Sequence, residues 1–563
     1  MKKQKINSIS PLLVFWGVLV SISLVSRPLL PIDETRYLGV AWEMWRTNEF
    51  WVPHFQGHFY SHKPPLLFWL IHLGWKVFGA HEWWARLVSP LFGLGSIFLT
   101  IKASQFLWPH RKGNSLLVGF ILIGFLPFQI YGTLTLFDNL IMFFSVLGFI
   151  SVILIIKEKR LFGWIMLCCS IGLGLLAKGP VIFLYTLPLP IILPLINTIP
   201  YKSNYYWYRN FLISLLAGCF IALIWAIPAV IKGGPDYAQA IFWKQTAGRI
   251  VNSFAHARPF WWYFFLLPVF LFPWYLFPSI WRGIKKVINR DDLGVKLCLI
   301  WILIPFFILM LISGKQLHYL VPLLPGAVLL VYKGLLNSNF NEKIIDKGFP
   351  VILLFFLGGI FIFSTYFFNS FLSPQKLQFV FLIIGTFIFL TTFLLVSAKT
   401  NQSLPIAFSI SLASVLFIII SNIGVSKFLK DNYDLTNKAL KIKFFQDKNL
   451  PVAFVGTYHG EVNFLGRLIT PIIPLSERNI GDWSREHPQG KVVFNCKTPI
   501  SKLPTKPNFY QKYKLGEATI WDAKTLMEFS EIWDLCQKKP EKLKKLKRLL
   551  DLNTLKQKIG AFF

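Results

Sequence analysis

Asp33 and Glu34 stand side by side directly after an apolar run long enough to cross a bilayer. The stretch reads Pro31-Ile32-Asp33-Glu34-Thr35-Arg36-Tyr37, continues as an aromatic-rich amphipathic run to Trp45, and reaches His62-Lys63-Pro64-Pro65 after Val52-Pro53-His54. Ionisable groups beside a span are costly enough in lipid to mark a functional site. A carboxylate there can take the proton of an attacking hydroxyl. An arginine and a lysine nearby can stabilise the charge of a departing phosphate. Together these residue types suit transfer of a sugar from a lipid phosphate. A nucleotide-sugar donor is disfavoured, because the chain has no Gly-rich phosphate loop.

The elements that must position these groups are membrane helices. The 563 residues are 54% hydrophobic and 15% charged, against about 25% charged in a soluble protein. Apolar runs near 20 residues indicate a polytopic α-helical membrane protein and are too long and continuous for barrel strands. Thirteen spans are expected, at roughly 9–30, 84–107, 114–132, 138–156, 161–177, 179–197, 209–231, 262–281, 295–313, 317–333, 349–368, 377–397 and 403–423. The first is read as uncleaved, since no small-residue cleavage site follows it. The net charge of +32 sits mostly in loops and in the C-terminal region, so no nucleic-acid partner is expected.

Loop charge tests that count. With a cytoplasmic N-terminus, the inside loops carry Lys102, Arg111 and Lys112, then Lys157, Lys159 and Arg160, and later Arg282, Lys285, Lys286 and Arg290. That is the positive-inside pattern. The outer face then collects Asp33, Glu34, Arg36, His62 and Lys63 from the loop 31–83, Asp138 before the fourth span, and Lys178 between the fifth and sixth. The loop 232–261 adds Arg249, His256 and Arg258, and the turn after the ninth span adds Lys315 and His318. Five connections thus supply one face. Simpler roles exist for each group: helix capping for the acids, headgroup contact for Arg36, and an interface belt for Trp83, Trp84, Trp261 and Trp262.

Two domains are expected: a transmembrane domain, 1–423, and a small extracytoplasmic α/β domain, 424–563. The second contains short buried strands around Val452–Val455 and Val492–Phe494, a hairpin around Leu515-Gly516, a helix from Thr525 to Lys538, and a basic amphipathic tail over 541–558 that can lie on membrane lipids. Cys496 and Cys536 lie here and can bridge if the region is outside the cell membrane.

Asp33-Glu34-Thr35-Arg36-Tyr37, Lys63-Pro64-Pro65, Trp84-Ala85-Arg86-Leu87-Val88-Ser89, Ala177-Lys178-Gly179-Pro180, Pro259-Phe260-Trp261-Trp262-Tyr263 and Ser313-Gly314-Lys315 occur in this order. The pattern resembles the integral-membrane glycosyltransferases of the C-type fold, in the bacterial branch related to protein O-mannosyltransferases and to the aminoarabinose transferase of lipid A modification. That resemblance implies a polyprenyl-phosphate-linked sugar as donor, a lipid, glycan or protein acceptor entering from outside, and inversion at the anomeric carbon. It implies that Asp33 is the catalytic carboxylate, as base or as the group orienting the acceptor, supported by Glu34, with Asp138 as the second acid. Arg36, Lys63 and Arg258, in preference to Arg249, would hold the donor phosphate, and Lys178 and Lys315 would line the site. His62 stands where the aminoarabinose transferases often have glutamate. No cofactor is required, although His62 and His256 offer ligands to a divalent metal such as zinc. The competing expectation is a transporter or flippase of lipid-linked glycans, which would need ionisable or broken-helix positions at mid-membrane and an internal repeat. The sequence shows neither, and the site is placed at the outer face of the cytoplasmic membrane.

Overall fold

Some of the apolar runs break near prolines, while others continue through one, as at Pro90 and Pro305. In this computed structural model, which describes residues 9–196, 203–244, 257–288, 291–337, 403–514 and 516–537, seven helices are long and apolar enough to cross a membrane. They are Glu82–Leu107, Asp138–Ile156, Arg160–Lys178, Asn204–Trp243, Leu293–Leu311, Leu317–Asn337 and Ala407–Asp447. Three expected spans are broken instead. The run 114–132 divides into Leu116–Gly124 and Leu126–Tyr131, with Pro127 in the first turn of the second piece. The run 179–197 becomes Val181–Thr186, Pro188–Ile192 and a 3₁₀ turn at Leu193–Ile196, punctuated by Pro188, Pro190 and Pro194. The run 262–281 ends as a helix at Phe270 and resumes at Pro278, with Pro273 between. A proline lacks the amide that would continue the ladder and its ring crowds the preceding turn. The expected spans 349–368 and 377–397 and the tail 541–558 lie outside the described residues.

The contacts divide the chain into two units. The first is Met1–Arg27, Asn48–Pro53 and Phe59–Ser426. It contains one apolar helix that the expected loop 31–83 did not foresee, Leu66–Phe78. Its 13 residues reach only about 20 Å, short of a hydrocarbon core of about 30 Å. It buries Leu67, Phe68, Ile71 and Trp75 while exposing Leu73, Val77 and Phe78. Gly74 permits this packing: a Cβ there would lie 1.8 Å from the Trp84 ring.

The second unit is Pro28–Thr47, His54–His58 and Lys427–Phe563. It therefore includes the Asp33–Thr47 helix as well as the C-terminal chain. Its sheet has five strands in the order Ile473–Leu475, Val452–Val455, Lys491–Cys496, Gly516–Asp522 and Phe509–Tyr513. The first three run parallel and the last two pair antiparallel. Side chains alternate between faces with period two. Ala453, Val455, Val492 and Phe494 enter one core with Trp483, Trp521 and Ile532. Val452, Phe454, Val493 and Ile520 enter the other with Leu435, Ile442 and Phe445. The expected Thr525–Lys538 helix is two short ones, Ala523–Glu528 and Ile532–Gln537. The chain leaves helical geometry at Phe529, whose ring packs against the first core.

Cys496 and Cys536 are disulfide-bonded, tying the Lys491–Cys496 strand to the Ile532–Gln537 helix across a separation of 40 residues. A loop of this size contributes about 2–4 kcal/mol. Cys536→Ser should lower the urea midpoint of this unit accordingly, followed by protease resistance, and abolish the mobility difference between reducing and non-reducing gels.

Candidate functional site

The Glu82–Leu107 helix carries a buried polar pair one turn apart, Arg86 and Ser89. Arg86 donates from Nη1 to Glu82 Oε1 at 2.9 Å and from Nη2 to the Arg27 carbonyl at 3.1 Å. Arg27 in turn donates to the Thr133 carbonyl at 2.5 Å. Ser89 Oγ donates to the Leu136 carbonyl at 2.7 Å and accepts from Leu136 N at 3.2 Å and Asn139 Nδ2 at 2.9 Å. Asn139 also donates to the Tyr131 carbonyl at 3.1 Å. The side chains of Arg27, Ser89 and Asn139 thus fix the connection 131–139, and with it the first residue of the Asp138–Ile156 helix, while Arg86 holds the Arg27 backbone.

Asp138 is buried, and its carboxylate faces cations from other connections. Lys178, last residue of the Arg160–Lys178 helix, donates from Nζ to Oδ1 at 2.6 Å, with side-chain exposures of 10% and 5%. Gly179 follows at φ +76°, a left-handed turn that suits glycine. His318 Nε2 lies 3.9 Å from Oδ2. Lys63 Nζ sits 5.6 Å from the Phe137 ring centroid, and its charge acts on the same carboxylate. Lys178 also lies over the Tyr319 ring, 5.2 Å from its centroid. Two ammonium groups and an imidazole therefore surround one carboxylate.

The connection that brings His318 also brings Lys315. Tyr185 and Tyr263 pin it by donating to the carbonyls of Tyr319 at 2.6 Å and Gln316 at 3.1 Å. Lys315 is buried, and its Nζ donates to the carbonyls of Arg258, at 3.1 Å, and Ile312. Desolvation lowers its pKa from the ordinary lysine value. Arg258 N donates to the Ser313 carbonyl at 3.1 Å, and Ala257 bridges Gly314. Its guanidinium lies 5.9 Å from the Trp262 ring centroid. Lys315 and Arg258 are thus joined, through one short connection, to the segment facing Asp138.

Asp33, Glu34 and Arg36 belong to the second unit. Asp33 opens its helix with a side chain 47% exposed, and Oδ1 accepts from Arg36 Nη2 at 2.5 Å and Tyr37 OH at 3.4 Å. The two donors orient an accessible carboxylate. Glu34 is buried, and its Oε2 accepts from Leu30 N at 3.1 Å, which ties the helix to the chain entering it.

His62 stacks on the Tyr60 ring, centroids 5.3 Å apart. His256 and Arg249 lie outside the described residues. Among the described residues, no group of three His, Cys, Asp or Glu could hold a metal. From sequence, His318 had no role beyond its place in the topology, although its position three residues after Lys315 was the available signal. Arg86 and Ser89 belong to one motif, but their separate structural roles, Ser89 pinning the Asp138 turn and Arg86 holding the Arg27 backbone, emerge only from their bonds.

Residues 62–232 match the family profile described as dolichyl-phosphate-mannose-protein mannosyltransferase. Curated relatives include the undecaprenyl phosphate-α-4-amino-4-deoxy-L-arabinose arabinosyl transferases of Pseudomonas savastanoi pv. phaseolicola, 29% identical over 61% of this chain and 66% of that protein, and of Pseudomonas aeruginosa, 30% identical over 60% and 62%. Over the matched stretch the chain is similar in sequence to these transferases. The matched stretch spans just under two thirds of these relatives' own length. The crystal structure of ArnT from Cupriavidus metallidurans bound to undecaprenyl phosphate superposes with a TM-score of 0.71 at 16% identity, covering 91% of this chain and 98% of that one. The chain therefore has the fold of that structure.

Asp138→Asn should leave Lys178 buried without its counter-charge, at a cost of about 3–5 kcal/mol, read as a lower melting temperature in detergent. Combining it with Lys178→Met should restore most of that stability. Activity should stay lost in the double variant, and recovered activity would make the pair purely structural.

Proposed function

We propose that this glycosyltransferase relative moves a sugar from a polyprenyl-phosphate donor to an acceptor at the outer face of the cytoplasmic membrane, with inversion. The observation that carries this reading is the buried Asp138 carboxylate held by Lys178 at 2.6 Å, with His318 at 3.9 Å, at the end of a membrane helix. Cationic side chains there suit an anionic leaving group. The acceptor hydroxyl attacks the anomeric carbon from the side opposite the phosphate, a new glycosidic bond forms, and the bond from that carbon to the phosphate oxygen breaks. Asp33 takes the hydroxyl proton or orients the hydroxyl, with Arg36 and Tyr37 directing its carboxylate. Lys63, Lys178, Lys315, Arg258 and Arg249 supply positive charge to the departing polyprenyl phosphate.

The thirteen-span arrangement with a cytoplasmic N-terminus and an extracytoplasmic C-terminal domain is part of the same proposal. Basic loops support the orientation, and a formed disulfide suits an oxidising compartment. Undecaprenyl-phosphate 4-amino-4-deoxy-L-arabinose is the first donor to test, because the relatives are named for it. Lipid, glycan and protein remain the acceptor classes. The mechanism requires no cofactor. A divalent metal at His62 and His256 is the one addition the sequence offers, and transfer that survives EDTA would remove it.

The test uses membranes supplied with that donor, together with mass spectrometry of envelope glycolipids and glycoproteins with and without the chain. Asp33→Asn should reduce transfer by about 10²–10⁴-fold, the usual worth of a positioned general base. Undiminished transfer would exclude Asp33 from the chemistry.

A further inference from the structure

The helix that carries Asp33 and Arg36 is fastened to the C-terminal chain along its outer half. Glu43, 5% exposed, accepts from Gln56 N at 2.7 Å and Gly57 N at 2.8 Å. Gln56 Oε1 accepts from Ile472 N at 2.7 Å. Trp42 Nε1 donates to the Leu468 carbonyl at 3.0 Å, and the Arg467 guanidinium lies over both Trp42 and Phe464, 5.1 and 3.7 Å from their centroids. One turn earlier, a Cβ built on Gly39 would meet Asn463 Cβ at 3.5 Å and the Gly460 carbonyl at 3.7 Å. Gly460 itself has φ +76° and admits the Phe55 ring where a Cβ would lie 2.3 Å away. These contacts line a small cleft bounded by Trp42, Glu43, Arg46, Gln56, Asn463 and Leu468 among others. Glu43, Gln56 and the Trp42 indole are already engaged with protein partners, so the cleft is a joint between segments and not a ligand pocket.

The receiving turn is stiff. Gly466 N donates to the Val462 carbonyl at 2.8 Å, Leu468 N to the Asn463 carbonyl at 3.0 Å, and Tyr458 OH to Asn463 Oδ1. Behind it, the buried Lys438 faces the charge of Glu461 and lies 5.3 Å from the Phe454 ring centroid, which ties the turn to the sheet. A helix held by such a turn keeps a fixed axis, and its first residue keeps a fixed position on the domain. Catalytic rates are sensitive to displacements of about 1 Å.

We propose that the C-terminal domain is a positioning device for the Asp33–Thr47 helix, acting through a latch of Glu43, Gln56, Arg467 and the turn 458–472. Arg467 and Gln56 are positioning residues, and the proposal rests on the reading of Asp33 as a catalytic group. The test uses the full chain in membranes, with undecaprenyl-phosphate 4-amino-4-deoxy-L-arabinose as donor. Arg467→Ala combined with Gln56→Ala should lower turnover at saturating donor by about tenfold or more and leave donor KM unchanged. Gly39→Cys with Asn463→Cys then provides the rescue, because the 3.5 Å approach falls within the range that a disulfide bridges. In the loosened background, oxidation should link the introduced thiols and restore turnover. In the otherwise unaltered chain, the same linked peptides should appear by mass spectrometry without loss of activity.

Wild-type turnover in the loosened variant overturns the proposal. So does a cross-linked protein that stays at the loosened rate, or a failure of the two thiols to join in the folded chain. If Asp33→Asn is inactive while the loosened variant is fully active, the latch fails and the function stands. If Asp33→Asn is fully active, the function reading fails and takes the latch with it.

Discussion

The contact between Lys178 and Asp138 is the constraint around which the first unit is arranged. Its members come from the end of one helix and the start of another, and both are nearly closed off from solvent. Removing two charges from water costs several kcal/mol per ion, and only close geometry and further partners offset it. Apolar side chains of similar size would join these helices at least as well. Stability alone is therefore a poor reason for the ions, which is why the pair is read as part of the proposed site. The surrounding bonds serve that pair: Arg27 and Ser89 pin the turn that presents Asp138, while Tyr185 and Tyr263 pin the turn that presents His318.

The second unit solves a different problem. A short amphipathic helix between two loops would have little of its own to hold it, since helices of about this length are marginal in water. Burial of Leu38, Val40, Ala41 and Met44 supplies part of the answer. Backbone amides at Gln56 and Gly57 that close on Glu43, and a turn that seats Trp42, supply the rest. The unit is small, but its two-sided sheet and its disulfide give it a core that can bear such a load.

The membrane-spanning character, the grouping of basic residues in loops, and the candidate acids and cations were legible because they follow from run length and residue type. Strands around Val452 and Val492 were legible from their alternation. Three runs read as unbroken spans are broken near prolines, and because Pro90 and Pro305 sit inside continuous helices, a proline alone does not say which run breaks. Phe529 interrupts a helix that its periodicity would continue, because its ring joins a core built from distant segments.

Membership in a site could be argued from topology, but partnership could not. The sequence by itself determined that Asp138, Lys178, Lys63 and Lys315 are costly residues at the ends of apolar runs, because solvation energies depend on residue type and neighbours along the chain. Only the tertiary structure decided that His318 comes within 3.9 Å of Asp138, that Ser89 holds the preceding turn, and that the helix bearing Asp33 belongs with chain more than 400 residues later. Those are matters of ångström distance between side chains, and distance depends on how all the intervening elements pack.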